Sequence, residues 1–289
     1  MNSLSTILSI PFKNLEEKRV EILIPFLALC FIHVLSEFFL PHLFPGIYFS
    51  LRPKPRDDIK IKEVDLDTAA ARDARNKIVS TIFSAYVSIL SLRGLYFSAP
   101  GEAEMLQKDP FASTIESMHL MQVACAYFLW DIVTLLSDMN DDVILWLIHG
   151  GLCLWVFLTS LSPFLHHMGY VTLIFEISTP FLHARKYLLQ AKLNESAIFD
   201  IIQSLFGVSF ILSRIVFGCY MMYGPNQWWW KMQSLITESN AGKAPQLQSV
   251  AIIYFYEICC VSLTFLNIMW ARTIIMNRFK TKKETKKTL

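Results

Sequence analysis

Ten ionisable side chains interrupt stretches of this sequence that are otherwise apolar: His33, Glu37, Arg93, His119, Asp131, His149, Glu176, Asp200, Arg214 and Glu257. An ionisable group inside a membrane is costly and ordinarily faces the protein interior or a wet cavity, so each is a candidate functional residue. Three suit chemistry best. His149 can serve as base or nucleophile, and Asp131 and Glu176 can orient it or protonate a leaving group. Glu176 also opens the run "EISTPF", residues 176–181. Pro180 cannot donate a helical hydrogen bond to the carbonyl of Glu176, four residues earlier. Ser178 and Thr179 can re-satisfy groups freed in this way. A bend there exposes backbone carbonyls beside a carboxylate, as in membrane helices that line ligand cavities. The competing readings are a packing kink at Pro180 and, for the ionisable set as a whole, interhelical hydrogen bonds that only hold a bundle together.

The elements that position these residues follow from composition. Of 289 residues 54% are hydrophobic and only 17% charged, where a soluble domain carries about 25%. A membrane span needs roughly 20 mainly apolar residues, and seven candidates occur, at about 21–44, 78–98, 116–136, 143–160, 164–185, 198–222 and 249–271. Backbone groups cannot stay unpaired in lipid, so the spans should be helices. The expectation is an all-α membrane protein. It divides into an N-terminal segment (1–20), a first span with a basic loop (21–74), a helical domain (75–275) and a basic tail (276–289). The start, "MNSLSTILSIPF", lacks the basic residues and cleavage site of a signal peptide. Six cysteines, Cys30, Cys125, Cys153, Cys219, Cys259 and Cys260, all fall in spans and read as small apolar packers.

With seven spans the termini lie on opposite sides. Of the 26 Lys and Arg residues, eighteen fall on the side of the first loop, fifth loop and C-terminal tail, and six on the other. Basic loops are cytosolic, which places the N-terminus in the lumen and the C-terminus in the cytosol. The tail ends "KKETKKTL". Lys286 and Lys287 resemble the dilysine retrieval signal of endoplasmic reticulum membrane proteins, read by coat proteins; a merely solvated basic tail is the alternative. Asn194-Glu195-Ser196 matches a glycosylation acceptor in a loop expected to be cytosolic, and hence unmodified.

Depth can be counted at about 1.5 Å per residue. Glu37, Asp131, His149 and Glu176, from four spans, then share one layer in the cytosolic half, together with Ser178, Thr179, Pro180, Asn267 and Trp270. This layer is a candidate lipid or substrate cavity. Arg93, His119 and Arg214 fall toward the lumen instead. His33 and Glu37, four apart, can touch as a local pair. His166 and His167 are conspicuous but point about 100° apart on a helix; an interfacial location at the luminal start of span five is expected, and no metal site. Trp228, Trp229 and Trp230 lie in the sixth loop, where tryptophans anchor at the bilayer surface. No Gly-rich phosphate loop, zinc-finger spacing or serine elbow is present, and nothing points to nucleic acid.

Together, "YFLWDIVTLL" (127–136), "WLIHGGLCLWVFL" (146–158), "GYVTLIFEISTPFLHARKYL" (169–188) and "FLNIMW" (265–270) resemble the TLC domain family over roughly residues 75–275. The branch carrying E-[LI]-S-[ST]-P-F is nearer than the ceramide synthases. The resemblance implies a seven-helix lipid-handling bundle in the endoplasmic reticulum. In ceramide synthases a histidine pair, with aspartates one helix later, transfers an acyl group from acyl-CoA to a sphingoid amine. Spacing back from Glu176 puts that pair at Ile148-His149 or His149-Gly150, so one histidine remains, and Glu176 and Thr179 stand where the aspartates would be. Two functions follow as expectations. One is a lipid binder, sensor or regulator with no cofactor. The other is an acyltransferase using His149, Asp131 and Glu176, with acyl-CoA as co-substrate drawn to the basic first loop (Arg52, Lys54, Arg56, Lys60, Lys62). Acidic residues, Asp57, Asp58, Glu63, Asp65 and Asp67, dilute that loop, which favours a topology signal and lipid headgroup attraction instead. A third reading, an accessory for trafficking of other membrane proteins, has no residue in its favour. The sequence assigns no oligomeric state.

Overall fold

The computed structural model describes residues 3–43, 63–136, 143–243, 247 and 249–285. Their secondary structure is helical throughout, with no strand among the described residues. α1 (Ser3–Glu17) and α2 (Arg19–Leu43) lead into α3 (Glu63–Tyr96), the short α4 (Glu102–Lys108), α5 (Ile115–Leu136) and α6 (Val143–Ser160). α7 (His166–Leu173) passes into a 3-10 turn (Ile174–Ser178) and α8 (Thr179–Gln190). α9 (Ala197–Phe210) continues through a π-helical segment (Ile211–Phe217) into α10 (Gly218–Tyr223), followed by α11 (Trp228–Asn240) and α12 (Val250–Thr285).

Among the described residues, five stretches are long and apolar enough to cross a membrane: Arg19–Ser36, Arg75–Tyr96, Ile115–Leu136, Ala197–Asn240 and Val250–Met276. They coincide with the first, second, third, sixth and seventh spans read from the sequence. The fourth is the shorter apolar helix Trp146–Ser160. The fifth is not one α-helix, because α7 and α8 are separated by the 3-10 turn. α3 and α12 hold 34 and 36 residues, or about 50 Å of helix each, more than a hydrocarbon layer of about 30 Å.

Local chemistry accounts for several boundaries. Thr114 and Ser117 form a reciprocal cap at the start of α5: each hydroxyl accepts the other's backbone N–H, at 2.8 and 3.1 Å, closing two donors that a helix start leaves open. Ser196 caps α9 by accepting the N–H of Phe199 at 3.3 Å. α1, which lies outside the seven apolar runs, is pinned where Asn14 donates to the carbonyl of Leu158 at 2.7 Å and accepts from Ser162 at 2.8 Å.

Two of the apolar clusters among the described residues hold most of the bundle. In one, Val79, Phe83 and Val87 of α3 meet Leu120, Ala124, Tyr127 and Phe128 of α5 and Phe157 of α6. The rings of Phe83 and Tyr127 stack, as do those of Phe128 and Phe157. In the other, Met168, Val171 and Phe175 pack on Trp228 and Met232 of α11 and on Ile253 and Tyr256 of α12. Large apolar residues also cover the outside. Ile201, Leu205, Val208, Leu212 and Val216 are all exposed and recur three or four residues apart, a continuous stripe along one helix face. Such a stripe is suited to lipid and not to water.

The cysteines are all free thiols, and Cys125, Cys153, Cys259 and Cys260 are buried packers. Two residues expected at the bilayer surface, His166 and Trp228, are packed inside the protein. His166 is 1% exposed: Ser117 Oγ lies 2.8 Å from its Nδ1 and the carbonyl of Ser160 lies 2.8 Å from its Nε2. It ties α5 to the end of α6 as a satisfied core residue. Trp228 is 3% exposed and inside the protein, while Trp230 is exposed. The segment reads as a loop in the sequence because polar residues interrupt its apolar ones. It folds as α11 because Trp228, Met232, Leu235 and Ile236 recur on one face and all are buried.

Candidate functional site

The 3-10 turn brings the polar residues of "EISTPF" to one place. Pro180 occupies the first turn of α8, a position where the missing N–H has no helical partner to lose. This corrects the expected mid-helix bend with bare carbonyls. The carbonyl of Glu176 accepts the N–H of Thr179, and Ser178 Oγ donates to the carbonyl of Phe175 at 3.2 Å. The backbone is satisfied, and the side chain of Glu176 carries the interest.

Glu176 Oε2 accepts from Thr179 Oγ1 at 2.7 Å and from Ser84 Oγ of α3 at 3.1 Å. Its Oε1 faces Arg214 Nη2 at 3.5 Å. Arg214 sits in the π-helical segment. A π turn inserts one residue into an α-helix and so resets which side chain faces the core; such turns are frequent at functional sites. The guanidinium also reaches Ser178 Oγ at 3.4 Å and Asn267 Oδ1 of α12 at 3.5 Å, and lies over the rings of Phe175 and Phe210. This corrects the assignment of Arg214 to the opposite layer. Counting residues at a uniform α-helical rise misplaces it, since the 3-10 and π turns change the rise locally and a long side chain spans several ångströms. Ser84, fully buried, escapes sequence reasoning; one serine in an apolar run gives no signal.

His149 of α6 stands between the rings of Phe128 and Trp270, with centroids 6.5 and 6.4 Å away. Trp270 in turn stacks on Trp146. Nε2 of His149 has only the Cys153 thiol, at 3.8 Å, and its buried Nδ1 has no hydrogen-bond partner. Neither Asp131 nor Glu176 is hydrogen-bonded to it. Asp131 is nonetheless near. It packs against the face of α6 beside His149, where a Cβ on Gly150 would lie 3.6 Å from its Oδ2.

The structure therefore groups Asp131, His149, Glu176, Ser178, Thr179, Asn267 and Trp270, adds Arg214 and Ser84, and puts Pro180 at the hinge. The side chain of Glu37, the first-loop cations Arg52, Lys54, Arg56, Lys60 and Lys62, and Lys286 and Lys287 of the tail lie outside the described residues. His119 meets Tyr86 OH at 2.9 Å, and Arg93 pairs with Glu116 on the surface; neither joins the site. No cluster of three or more His, Cys, Asp or Glu suited to a metal occurs among the described residues.

The pattern of the TLC domain family matches residues 73–276. The chain belongs to the TLC domain family. An uncharacterised TLC domain-containing protein of Schizosaccharomyces pombe is 26% identical over 165 residues, 57% of this chain and 53% of that one. The match thus spans about half the length of that relative. Family and helices together make this a multi-pass membrane protein of a fold associated with lipid metabolism or lipid sensing.

Proposed function

We propose that the protein binds membrane lipid at the Glu176–Arg214–His149 site and acts in lipid homeostasis as a binder, sensor or regulator. The observation that supports this most is the loose coordination of Arg214. A guanidinium has five N–H donors, and its three contacts here are 3.4, 3.5 and 3.5 Å long, near the outer limit for a hydrogen bond. A polar lipid group can enter that coordination sphere while its apolar part lies along Phe175, Phe210 and Trp270. Glu176, held firmly by two hydroxyls, fixes the cation in place. Because no carboxylate orients His149, the site has the parts of a receptor more fully than those of a catalyst.

A second reading is acyl transfer from acyl-CoA to a sphingoid or other lipid amine. It rests on one observation, the unpartnered Nδ1 of His149, a nitrogen available to accept a proton or an acyl group. We place the protein in the endoplasmic reticulum, with the N-terminus luminal, the tail cytosolic and Lys286 and Lys287 read by coat proteins; the charge asymmetry of the loops and the dilysine ending support this. Purified protein assayed for retained lipid by mass spectrometry, then incubated with acyl-CoA and long-chain bases, separates the readings. Retained lipid without turnover supports the binder, whereas turnover lost in His149→Ala supports the transferase.

A further inference from the structure

Asn267 of α12 is 5% exposed, and only half of its amide is accounted for. Its Oδ1 faces Arg214 Nη1 at 3.5 Å. A guanidinium donates and cannot accept, so the oxygen is the atom turned to it and the NH2 group points away. That nitrogen has no hydrogen-bond partner among the described residues. It is not walled in as Trp228 Nε1 and His149 Nδ1 are: those have essentially no accessible surface, whereas Asn267 Nδ2 keeps some. Buried amides ordinarily bond on both sides. The hydrocarbon around a membrane bundle offers no acceptor, so an open, reachable donor there calls for one carried by a ligand.

Depth and charge say what kind of acceptor. With the apolar stretch Val250–Met276 centred on the bilayer, Asn267 lies about 6 Å from the middle, at about 1.5 Å per residue. The edge of a hydrocarbon layer about 30 Å thick is about 15 Å from the middle. The acceptor must therefore reach about 9 Å below that edge. A charged headgroup taken so deep loses its hydration, and Arg214, already matched by Glu176 at 3.5 Å, has no charge to spare for it. A neutral carbonyl costs far less to bury, and a hydrogen bond offsets that cost. Trp270, nearly one turn on from Asn267, stacks on Trp146 of α6, and Trp146 is 41% exposed. An apolar wall thus runs from the lipid-facing side toward the amide, which suits the chain attached to such a carbonyl.

We propose that Asn267 recognises the acyl carbonyl of an uncharged lipid, an ester or an amide. This rests on the lipid-binding reading above and names the class of ligand. The test uses the full chain in nanodiscs of dialkyl-ether phosphatidylcholine, a bilayer that holds no competing carbonyl. Diacylglycerol, its dialkyl-ether counterpart, an uncharged N-acyl amide and ester-linked phosphatidic acid are added in turn, and lipid retained by the protein is measured by native mass spectrometry. The ester or the amide should be retained about tenfold over the ether, and the better retained of the two assigns the linkage. Asn267→Leu removes the donor at similar size and should bring all three to equal retention. If that variant does not fold, the comparison of carbonyl and ether lipids on the unmodified protein still decides. Equal retention of ester, amide and ether by the unmodified protein overturns the proposal and leaves the lipid-binding reading standing; retention of none overturns both. Preference for phosphatidic acid over diacylglycerol, or discrimination undiminished in Asn267→Leu, also overturns the proposal.

Discussion

Replacing Arg214 with methionine keeps an unbranched apolar chain and removes the cation that faces Glu176. The carboxylate retains Thr179 and Ser84 at 2.7 and 3.1 Å but loses its counter-charge. Removing one partner of a buried pair costs about 3–5 kcal/mol. Here the side chains are 11% and 19% exposed and 3.5 Å apart, and two hydroxyls remain, so about 2–3 kcal/mol is the reasonable expectation. Glu176→Gln should cost less, about 1–2 kcal/mol, because the amide can still bond the hydroxyls while Arg214 keeps Ser178, Asn267 and two aromatic faces. If the ions stabilise each other, the double variant should be at least about 1 kcal/mol better than the sum of the singles. Reversible unfolding in mixed detergent, run on all four proteins, gives the cycle. Additivity within about 0.5 kcal/mol would refute the pairing.

Glycines give a paired stability test. A Cβ on Gly218 would lie 2.7 Å from the ring of Phe175, beneath Arg214, so Gly218→Ala should destabilise by about 1–3 kcal/mol, whereas Gly151 has open space and Gly151→Ala should stabilise by about 0.5–1 kcal/mol; thermal unfolding reads both. His166→Leu leaves the carbonyl of Ser160 unbonded in the core and should cost about 1–3 kcal/mol in the same assay without changing retained lipid. Asn194 lies in an exposed turn before α9, so its modification is decided by the compartment: endoglycosidase treatment of protein from a eukaryotic host should leave its mobility unchanged, and a shift would reverse the proposed orientation.

Apolar length alone makes most of the bundle legible in the sequence. Five of the seven spans stand as helices long enough to cross, because unbroken apolar runs leave the backbone no alternative in lipid. The fifth is harder. "EISTPF" announces an irregularity, but the placing of Pro180 in the first turn of a new helix, and not within an old one, depends on the 3-10 turn that precedes it. At the site, residue type is enough to find His149, Asp131 and Glu176. It is not enough to find the pairing of Glu176 with Arg214, which rests on a π turn that no residue in "ILSRIVF" advertises. The burial of His166 and Trp228 escapes the sequence for a common reason: amphipathic rings suit a bilayer surface and a packed interior equally well, and only their neighbours decide between them.

Lipid retained through detergent exchange, measured by native mass spectrometry on the unmodified protein and on Arg214→Met and His149→Phe, tests the central claim most directly. The expected result is a bound lipid in the unmodified protein, diminished in both variants while each remains folded. Equal retention in all three, or none in the unmodified protein, would contradict a lipid site at Glu176, Arg214 and His149.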